Sequence, residues 1–255
     1  MAMPLVHSSL TFFGGEHHSM KIAFFGDSLT EGIPGVPFFD FLRERLKEHT
    51  LYNYGRGGDT VLSLYRRMER LKLSEHFDIA FLWVGTNDVL VNITPVYPVV
   101  KRLVNQQWTR SEQEFAQYYR KSMNFLREKS MRIYTVPPLF IGEDLENEWN
   151  RRLGRLSGII SELTAGYEQA AYIDLRAVFR AYLNGKALSD YLPESLARTG
   201  FDVIGLREPK QVDERSAERG LYYTLDGVHL NSRGAEITAE VFAARIDDYI
   251  RYTHF

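Results

Sequence analysis

The stretch Gly26-Asp27-Ser28-Leu29-Thr30-Glu31-Gly32 directly follows Lys21-Ile22-Ala23-Phe24-Phe25, a short apolar run that is typical of a buried parallel strand. A helical pattern of apolar residues begins at Phe38, so the glycine-bounded stretch joins a strand to a helix. In open α/β sheets, ligands bind in the crevice outside the carboxyl ends of the strands. We therefore expect Ser28 at that edge of a sheet, with its hydroxyl pointing outward.

Four further stretches are short, apolar and rich in β-branched or aromatic residues, as buried strands are: 51–54, 77–85, 131–136 and 171–175. Between them the apolar residues recur with a helical period. The helices predicted in this way cover 38–49, 60–72, 145–167 and 233–252. A further helix is predicted after the capping box Ser111-Glu112-Gln113-Glu114. Strands that alternate with helices predict a parallel sheet with helices on both faces, a three-layer α/β/α sandwich.

We expect residues 21–255 to form a single domain, preceded by a flexible tail at 1–20. Two segments, at about 89–110 and 185–221, do not follow the alternation of strands and helices, and we interpret them as long insertions. His17 and His18 lie in the tail, in a segment rich in glycine and serine, with no third ligand near in sequence. The sequence therefore predicts no metal site there, and we expect the functional start to lie near Met20.

The composition excludes several classes of protein. The chain has 255 residues, 44% of them hydrophobic, and a formal net charge of −2, so no basic excess favours a nucleic-acid partner. Cysteine is absent, which excludes disulfides, thiolate nucleophiles and Cys-ligated zinc. The longest apolar runs are strand-length, so no membrane span is predicted. The first residues lack the features of a secretory signal, and we expect a cytoplasmic protein.

Ser28 can act as a nucleophile only if a base lies within hydrogen-bond reach and a third group orients that base. Asp226-Gly227-Val228-His229 offers such a pair, because an aspartate three residues before a histidine can fold back and accept from the imidazole Nδ1–H. The alternatives are a helix-capping serine at Ser28, and a turn aspartate with a capping histidine at 226–229.

Two more turns follow predicted strands. Gly55-Arg56-Gly57-Gly58 allows backbone amides to approach a phosphate or an oxyanion closely, although it matches neither the dinucleotide fingerprint nor the P-loop. Asn87, within Gly85-Thr86-Asn87-Asp88, offers a neutral side-chain amide as an oxyanion donor. Ordinary tight turns are the alternative for both. Because parallel strands end at one edge of the sheet, these loops can converge on a single crevice.

With these motifs in this order, the chain resembles the GDSL family of hydrolases, in its SGNH branch. The resemblance rests on Gly26-Asp27-Ser28-Leu29, Gly57-Gly58-Asp59-Thr60, Gly85-Thr86-Asn87-Asp88 and the Asp226 to His229 motif, which together span nearly the whole predicted domain. It implies a flavodoxin-like α/β/α sandwich with five parallel strands. It also implies Ser-His-Asp hydrolysis of esters, for which we expect neither a metal nor another cofactor.

The resemblance implies a role for each motif residue. Ser28 would be the nucleophile, His229 the base and Asp226 the orienting acid. The oxyanion hole would consist of the backbone amides of Ser28 and Gly58 and the side chain of Asn87.

We expect a hydrolase that cleaves small or medium soluble carboxylic esters through an acyl-enzyme intermediate. A carbohydrate O-acetyl esterase and a lysophospholipase or thioesterase are the alternative enzymes, and a silent module that binds an acyl or phosphate group is the alternative without catalysis. Four residues near predicted strand ends are candidates for an acyl pocket: Val89, Leu90, Tyr97 and Phe140.

Overall fold

A five-stranded parallel sheet forms the centre of the computed structural model, which describes residues 19–93, 96–192 and 208–253. Its strands are β1 (Lys21–Gly26), β2 (Thr50–Gly55), β3 (Phe77–Trp83), β4 (Ser130–Val136) and β5 (Ala170–Tyr172). Their order across the sheet is β2-β1-β3-β4-β5. The predicted three-layer α/β/α sandwich with a flavodoxin-like parallel sheet is confirmed.

Ten helices flank or cap this sheet within the described residues. They are α1 (Ser28–Glu31), α2 (Phe38–Arg45), α3 (Val61–Arg70), α4 (Thr86–Leu90), α5 (Val96–Leu103), α6 (Glu112–Arg127), α7 (Glu148–Ala165), α8 (Leu175–Leu183), α9 (Pro209–Glu218) and α10 (Ser232–Thr253). In this part of the chain no helix combines the length and the apolar character that crossing a membrane would require.

Each face of the sheet has its own apolar core, because successive strand residues point to opposite faces. Phe24 of β1 packs into the core beneath α2, α8 and α10, whereas Phe25 packs into the core beneath α3, α6 and α7. On the first face, Phe24 stacks on Phe81 of β3 with ring centroids 4.6 Å apart, and Phe242 of α10 meets Phe38 edge to face at 5.3 Å. These contacts fix the carboxyl ends of β1 and β3 side by side.

The chain reverses its direction of winding between β1 and β3. From β1 it moves outward to β2, and it then crosses back to β3 on the other side of β1, which pairs with both neighbours. A crevice forms at such a switch point, outside the carboxyl ends of the strands. The segments that carry Ser28 and Asn87 leave β1 and β3 at this crevice.

Several elements differ from the sequence prediction. Strand β5 ends at Tyr172 instead of residue 175, because the Asp174 side chain accepts from the Ala177 amide at 2.9 Å and begins α8, a helix that was not predicted. Helix α2 ends at Arg45 instead of residue 49, since the backbone leaves the helical region at Leu46, and β3 ends at Trp83 instead of residue 85.

The two segments interpreted as long insertions contain helices α5 and α9. Residues 193–207 of the second segment lie outside the described residues, as do residues 1–18 of the predicted tail, which include His17 and His18. The prediction that residues 21–255 form one domain with two insertions stays a prediction.

Glu143, in the segment after β4, is fully buried and holds a distant stretch of backbone. Its Oε2 accepts from the Tyr222 amide at 2.7 Å, and its Oε1 accepts from the Tyr223 and Thr224 amides at 2.8 and 2.9 Å. The Thr224 hydroxyl donates to Oε1 as well, at 2.8 Å. One carboxylate therefore fixes the three residues that lead into the predicted catalytic turn at 226–229.

Replacing Glu143 by glutamine should weaken this anchor, because a side-chain amide group would then face backbone N–H groups. We expect the free energy of unfolding, measured by urea denaturation, to fall by about 1.5–3 kcal/mol, the range for hydrogen bonds to a charged group. Glu146→Gln changes an exposed carboxylate in the same segment, and should stay within about 0.5 kcal/mol of the unsubstituted chain. Equal losses in the two variants would contradict the anchoring role.

Candidate active site

The structure brings Ser28, His229 and Asp226 into a continuous line of hydrogen bonds. Ser28 Oγ lies 2.9 Å from His229 Nε2, and His229 Nδ1 lies 2.8 Å from Asp226 Oδ2. An ionised carboxylate can only accept, so the ring proton lies on Nδ1 and Nε2 accepts from the serine hydroxyl. All three residues are buried, each with less than a tenth of its surface exposed.

The turn that carries Ser28 is fixed where it leaves β1. Asp27 caps α1 by accepting from the Leu29 amide at 3.0 Å, which places Ser28 at the first position of the helix. A Cβ atom on Gly26 would lie 2.3 Å from the Trp83 carbonyl oxygen, so only glycine allows β1 and β3 to lie this close. The backbone amide of Ser28 has no intrahelical acceptor at this position and is available to a ligand.

The Asp226 carboxylate is buried but well supplied with donors. Its Oδ1 accepts from the Val228 and His229 amides at 3.0 and 2.8 Å, while its Oδ2 faces the imidazole. Burial favours the neutral acid, but the charge and hydrogen bonds of His229 and the Val228 amide outweigh it, and they hold the pKa of Asp226 below its ordinary value. Gly227 allows the tight turn with a φ of +85°.

Asn87 connects the loops after β1 and β2. Its Nδ2 donates to Asp27 Oδ2 at 3.3 Å and to the Asp59 carbonyl at 3.2 Å. Both distances exceed the common N–H···O value of about 2.9–3.0 Å, so a better acceptor can replace one of these partners. Gly58 precedes Asp59 and has a φ of +77°. The predicted oxyanion donors therefore lie on three loops that Asn87 joins.

Two residues that no sequence motif indicated, Lys101 and Gln106, lie behind these donors. Lys101 Nζ donates to the Gly58 carbonyl, to Asn87 Oδ1 at 3.4 Å and to Gln106 Oε1 at 3.1 Å. Gln106 Nε2 donates to the Gly57 carbonyl at 2.8 Å. No sequence signal marks either residue, because Lys101 stands beside Arg102 after an apolar run and Gln106 stands in an ordinary polar context.

Burial shifts the pKa values of three charged groups around Asn87. It raises the pKa of Asp27 to about 7, against the lowering effects of the Leu29 amide and the nearby His229 and Lys101 charges. It also raises the pKa of Asp88 to about 7, and it lowers the pKa of Lys101 to about 8. Strongly shifted pKa values that cluster in a crevice are typical of functional sites.

The four predicted acyl-pocket residues are buried. Val89, Leu90 and Tyr97 belong to the core on the α3 face, and Phe140 lies in the opposite core, 5.6 Å from the Phe179 ring. Val89 also borders a surface cleft of about 540 Å³ beside α4. Contact between these residues and a substrate stays a prediction.

Comparisons with known proteins identify a matching family and similar folds. A sequence model described as the GDSL-like Lipase/Acylhydrolase family matches residues 24–237. Among curated proteins, no sequence matches the chain. The solved structures similar to it include the acetyl xylan esterase AlAXEase, which is 25% identical, with a TM-score of 0.62 over 89% of this chain and 100% of that one.

Two further structures share the fold at lower identity. A catalytic mutant of Axe2, an acetylxylan esterase from Geobacillus stearothermophilus, is 17% identical, with a TM-score of 0.62 over 89% of this chain and 94% of that one. A member of the lipolytic protein G-D-S-L family from Veillonella parvula DSM 2008 is 17% identical, with a TM-score of 0.59 over 89% and 97% of the two chains. With the family match covering most of its length, the chain belongs to the GDSL-like lipase/acylhydrolase family.

Proposed function

We propose that this serine ester hydrolase cleaves carboxylic esters through an acyl-enzyme intermediate on Ser28. The observation that carries the proposal is the line of hydrogen bonds from Asp226 through His229 to Ser28, at 2.8 and 2.9 Å. Such a line activates a hydroxyl that is otherwise a weak nucleophile, because the imidazole can take its proton during attack.

The reaction then proceeds in two steps of the same kind. Ser28 Oγ attacks the ester carbonyl carbon while His229 Nε2 takes its proton, and the resulting tetrahedral intermediate collapses as the alcohol leaves with that proton. Water next attacks the acyl-enzyme with His229 again acting as base, which releases the carboxylic acid and restores the serine. The ionised Asp226 fixes the ring tautomer and stabilises the imidazolium that forms in each step.

The negative charge on the former carbonyl oxygen exists only in the tetrahedral intermediate. The proposed donors to it are the amides of Ser28 and Gly58 and the Nδ2 group of Asn87. Because these groups are neutral and already held in place by the fold, they need little reorganisation when the charge develops.

Ser28→Ala should abolish ester hydrolysis and labelling by a fluorophosphonate, since the attacking oxygen is removed. Turnover of p-nitrophenyl acetate and covalent labelling followed by mass spectrometry measure the two effects. Ser74→Ala changes an exposed serine and should leave both unchanged. Labelling that persists in Ser28→Ala would assign the nucleophile to another residue. Binding of an acyl or phosphate ligand with no turnover in the unsubstituted chain would favour the silent module.

Asn87→Ala should lower kcat by roughly 10²–10³-fold, the usual loss when one oxyanion donor is removed. KM should change little, because the interaction is made only in the transition state. Asn92→Ala removes a nearby asparagine side chain that is exposed and donates to the Asp88 carbonyl at 3.2 Å, and kcat should stay close to the unsubstituted value. A large increase in KM at constant kcat would contradict the role assigned to Asn87.

The similarity to the acetyl xylan esterases AlAXEase and Axe2 supports a second candidate substrate, an acetylated carbohydrate. The test is to measure kcat/KM for p-nitrophenyl acetate, butyrate and octanoate, and kcat/KM for acetate release from acetylated xylo-oligosaccharides. For an esterase of small or medium soluble esters we expect the acetate or butyrate ester to be the best substrate. A higher kcat/KM for the oligosaccharides would assign the carbohydrate function, and a preference for octanoate would favour a lysophospholipase or thioesterase.

A further inference from the structure

Helix α5 buries a charge and exposes apolar residues, the reverse of an ordinary surface helix. Lys101 is 4% exposed and shares the buried face with Tyr97, whereas Val99 and Leu103 are 50% and 80% exposed. Lysine is almost never fully buried unless it is paired. The contacts of Lys101 therefore indicate what holds the segment 89–110, which departs from the alternation of strands and helices, over the carboxyl ends of the strands.

The chain turns back sharply after α5 and places a second polar side chain beside Lys101. Asn105 adopts the left-handed conformation with a φ of +53°, and the Gln106 amide donates to the Lys101 carbonyl at 2.8 Å. The two side chains are joined by the bond from Lys101 Nζ to Gln106 Oε1 at 3.1 Å. We refer to Lys101 and Gln106 together as the α5 clamp.

The α5 clamp holds Gly58 and Asn87, two of the three proposed oxyanion donors. Lys101 binds the Gly58 carbonyl and Asn87 Oδ1, and Gln106 binds the Gly57 carbonyl. A Cβ atom on Gly58 would lie 2.6 Å from Gln106 Oε1 and 2.9 Å from Lys101 Nζ, so the clamp is packed directly against this glycine.

Two contacts of the α5 clamp, those with the Gly57 carbonyl and with Asn87 Oδ1, each strengthen a donor at the other end of the same amide group. The Gly57 carbonyl and the Gly58 N–H belong to one peptide unit, so the bond from Gln106 makes that N–H a better donor. In the same way the ammonium group polarises the Asn87 side chain through Oδ1. It also fixes the direction of that amide, because a flipped Asn87 would turn its NH₂ group toward the Lys101 NH₃⁺ group.

We infer that Lys101 is a positioning residue for ester hydrolysis, which orients and polarises the Asn87 amide and holds Gly58 in place. The inference rests on the proposed function, since it concerns the charge that forms at the same serine. Lys101 contacts neither the serine nor the histidine in the hydrogen bonds described above, so its effect passes through the two donors it holds.

The charge of Lys101 depends on pH. Three carboxylates face it, Asp27, Asp59 and Asp88, and Asp59 in turn pairs with Arg67 at 2.8 Å. Burial lowers the pKa of Lys101 to about 8, although the three carboxylates oppose this shift. The ammonium group is therefore present below about pH 8 and is lost as the pH rises. We expect kcat to decrease on the alkaline side near that pH, with an apparent pKa that belongs to the whole cluster.

Lys101→Met removes the charge and keeps a long side chain. We expect kcat to fall by roughly 10- to 100-fold, less than the loss of a donor itself, with KM changed by less than about twofold. The alkaline decrease in kcat should disappear. In Lys101→Arg, which stays charged at all accessible pH values, part of kcat should return and the decrease should be absent over the measured pH range. Steady-state kinetics on p-nitrophenyl acetate from pH 6 to 10 measure all three effects.

Arg102→Met is the matched control, because it removes a positive charge from the same helix. The Arg102 side chain is exposed and lies over the Trp108 ring, at 5.7 Å, so kcat and the pH profile should stay as in the unsubstituted chain. Circular dichroism melting of each variant shows whether it is folded. If Lys101→Met does not fold, Lys101→Arg decides, and an alkaline decrease at an unchanged pH would overturn the inference.

The experiment separates the two proposals. If Lys101→Met keeps kcat and the alkaline decrease while Ser28→Ala is inactive, the role of Lys101 is wrong and the proposed function stands. If hydrolysis does not depend on Ser28, the proposed function fails, and the role of Lys101 fails with it.

Discussion

The hydrogen bond between Asp226 and His229 is the interaction on which the rest of the site depends. The imidazole can accept the serine proton at Nε2 only while Nδ1 holds the other proton, and Nδ1 holds it because a buried carboxylate stays ionised beside it. The imidazole itself and the Val228 and His229 amides of the same turn support that ionisation. The turn itself follows three residues fixed by Glu143, so a second buried carboxylate, from the segment after β4, holds the first in place.

The sheet order supplies the other half of the site. Since β1 lies between β2 and β3, the loops after these three strands leave the sheet as neighbours. Asn87 and Arg67 then cross-link them: Asn87 bonds Asp27 and the Asp59 carbonyl, while Arg67 bonds Asp59 and the carbonyls of Gly26 and Tyr54. A group of loops that is cross-linked in this way can present fixed backbone and side-chain donors, which is what stabilisation of a transient charge requires.

The sequence predicted the sheet, its flanking layers and the motifs that meet at its edge, because each depends on local periodicity or on a short run of residues. It could not predict Glu143, Lys101 or Gln106 as parts of the site. Their partners lie up to 81 residues away along the chain, and only folding brings them within reach. The end of β5 was misjudged for a different reason. The run Ala171-Tyr172-Ile173-Asp174-Leu175 has strand composition, but Asp174 caps a helix.

Helix α5 also separates the position of the proposed oxyanion donors from the charge that supports them. The groups at the strand ends are tied to the apolar cores on both faces of the sheet, so a change in their position would disturb the fold. The charge behind the donors instead arrives on a segment that crosses over the edge and contributes only a few side chains to the core. The electrostatic support of the proposed donors can therefore be altered by substitutions in this one segment, while the geometry of the strand ends stays the same.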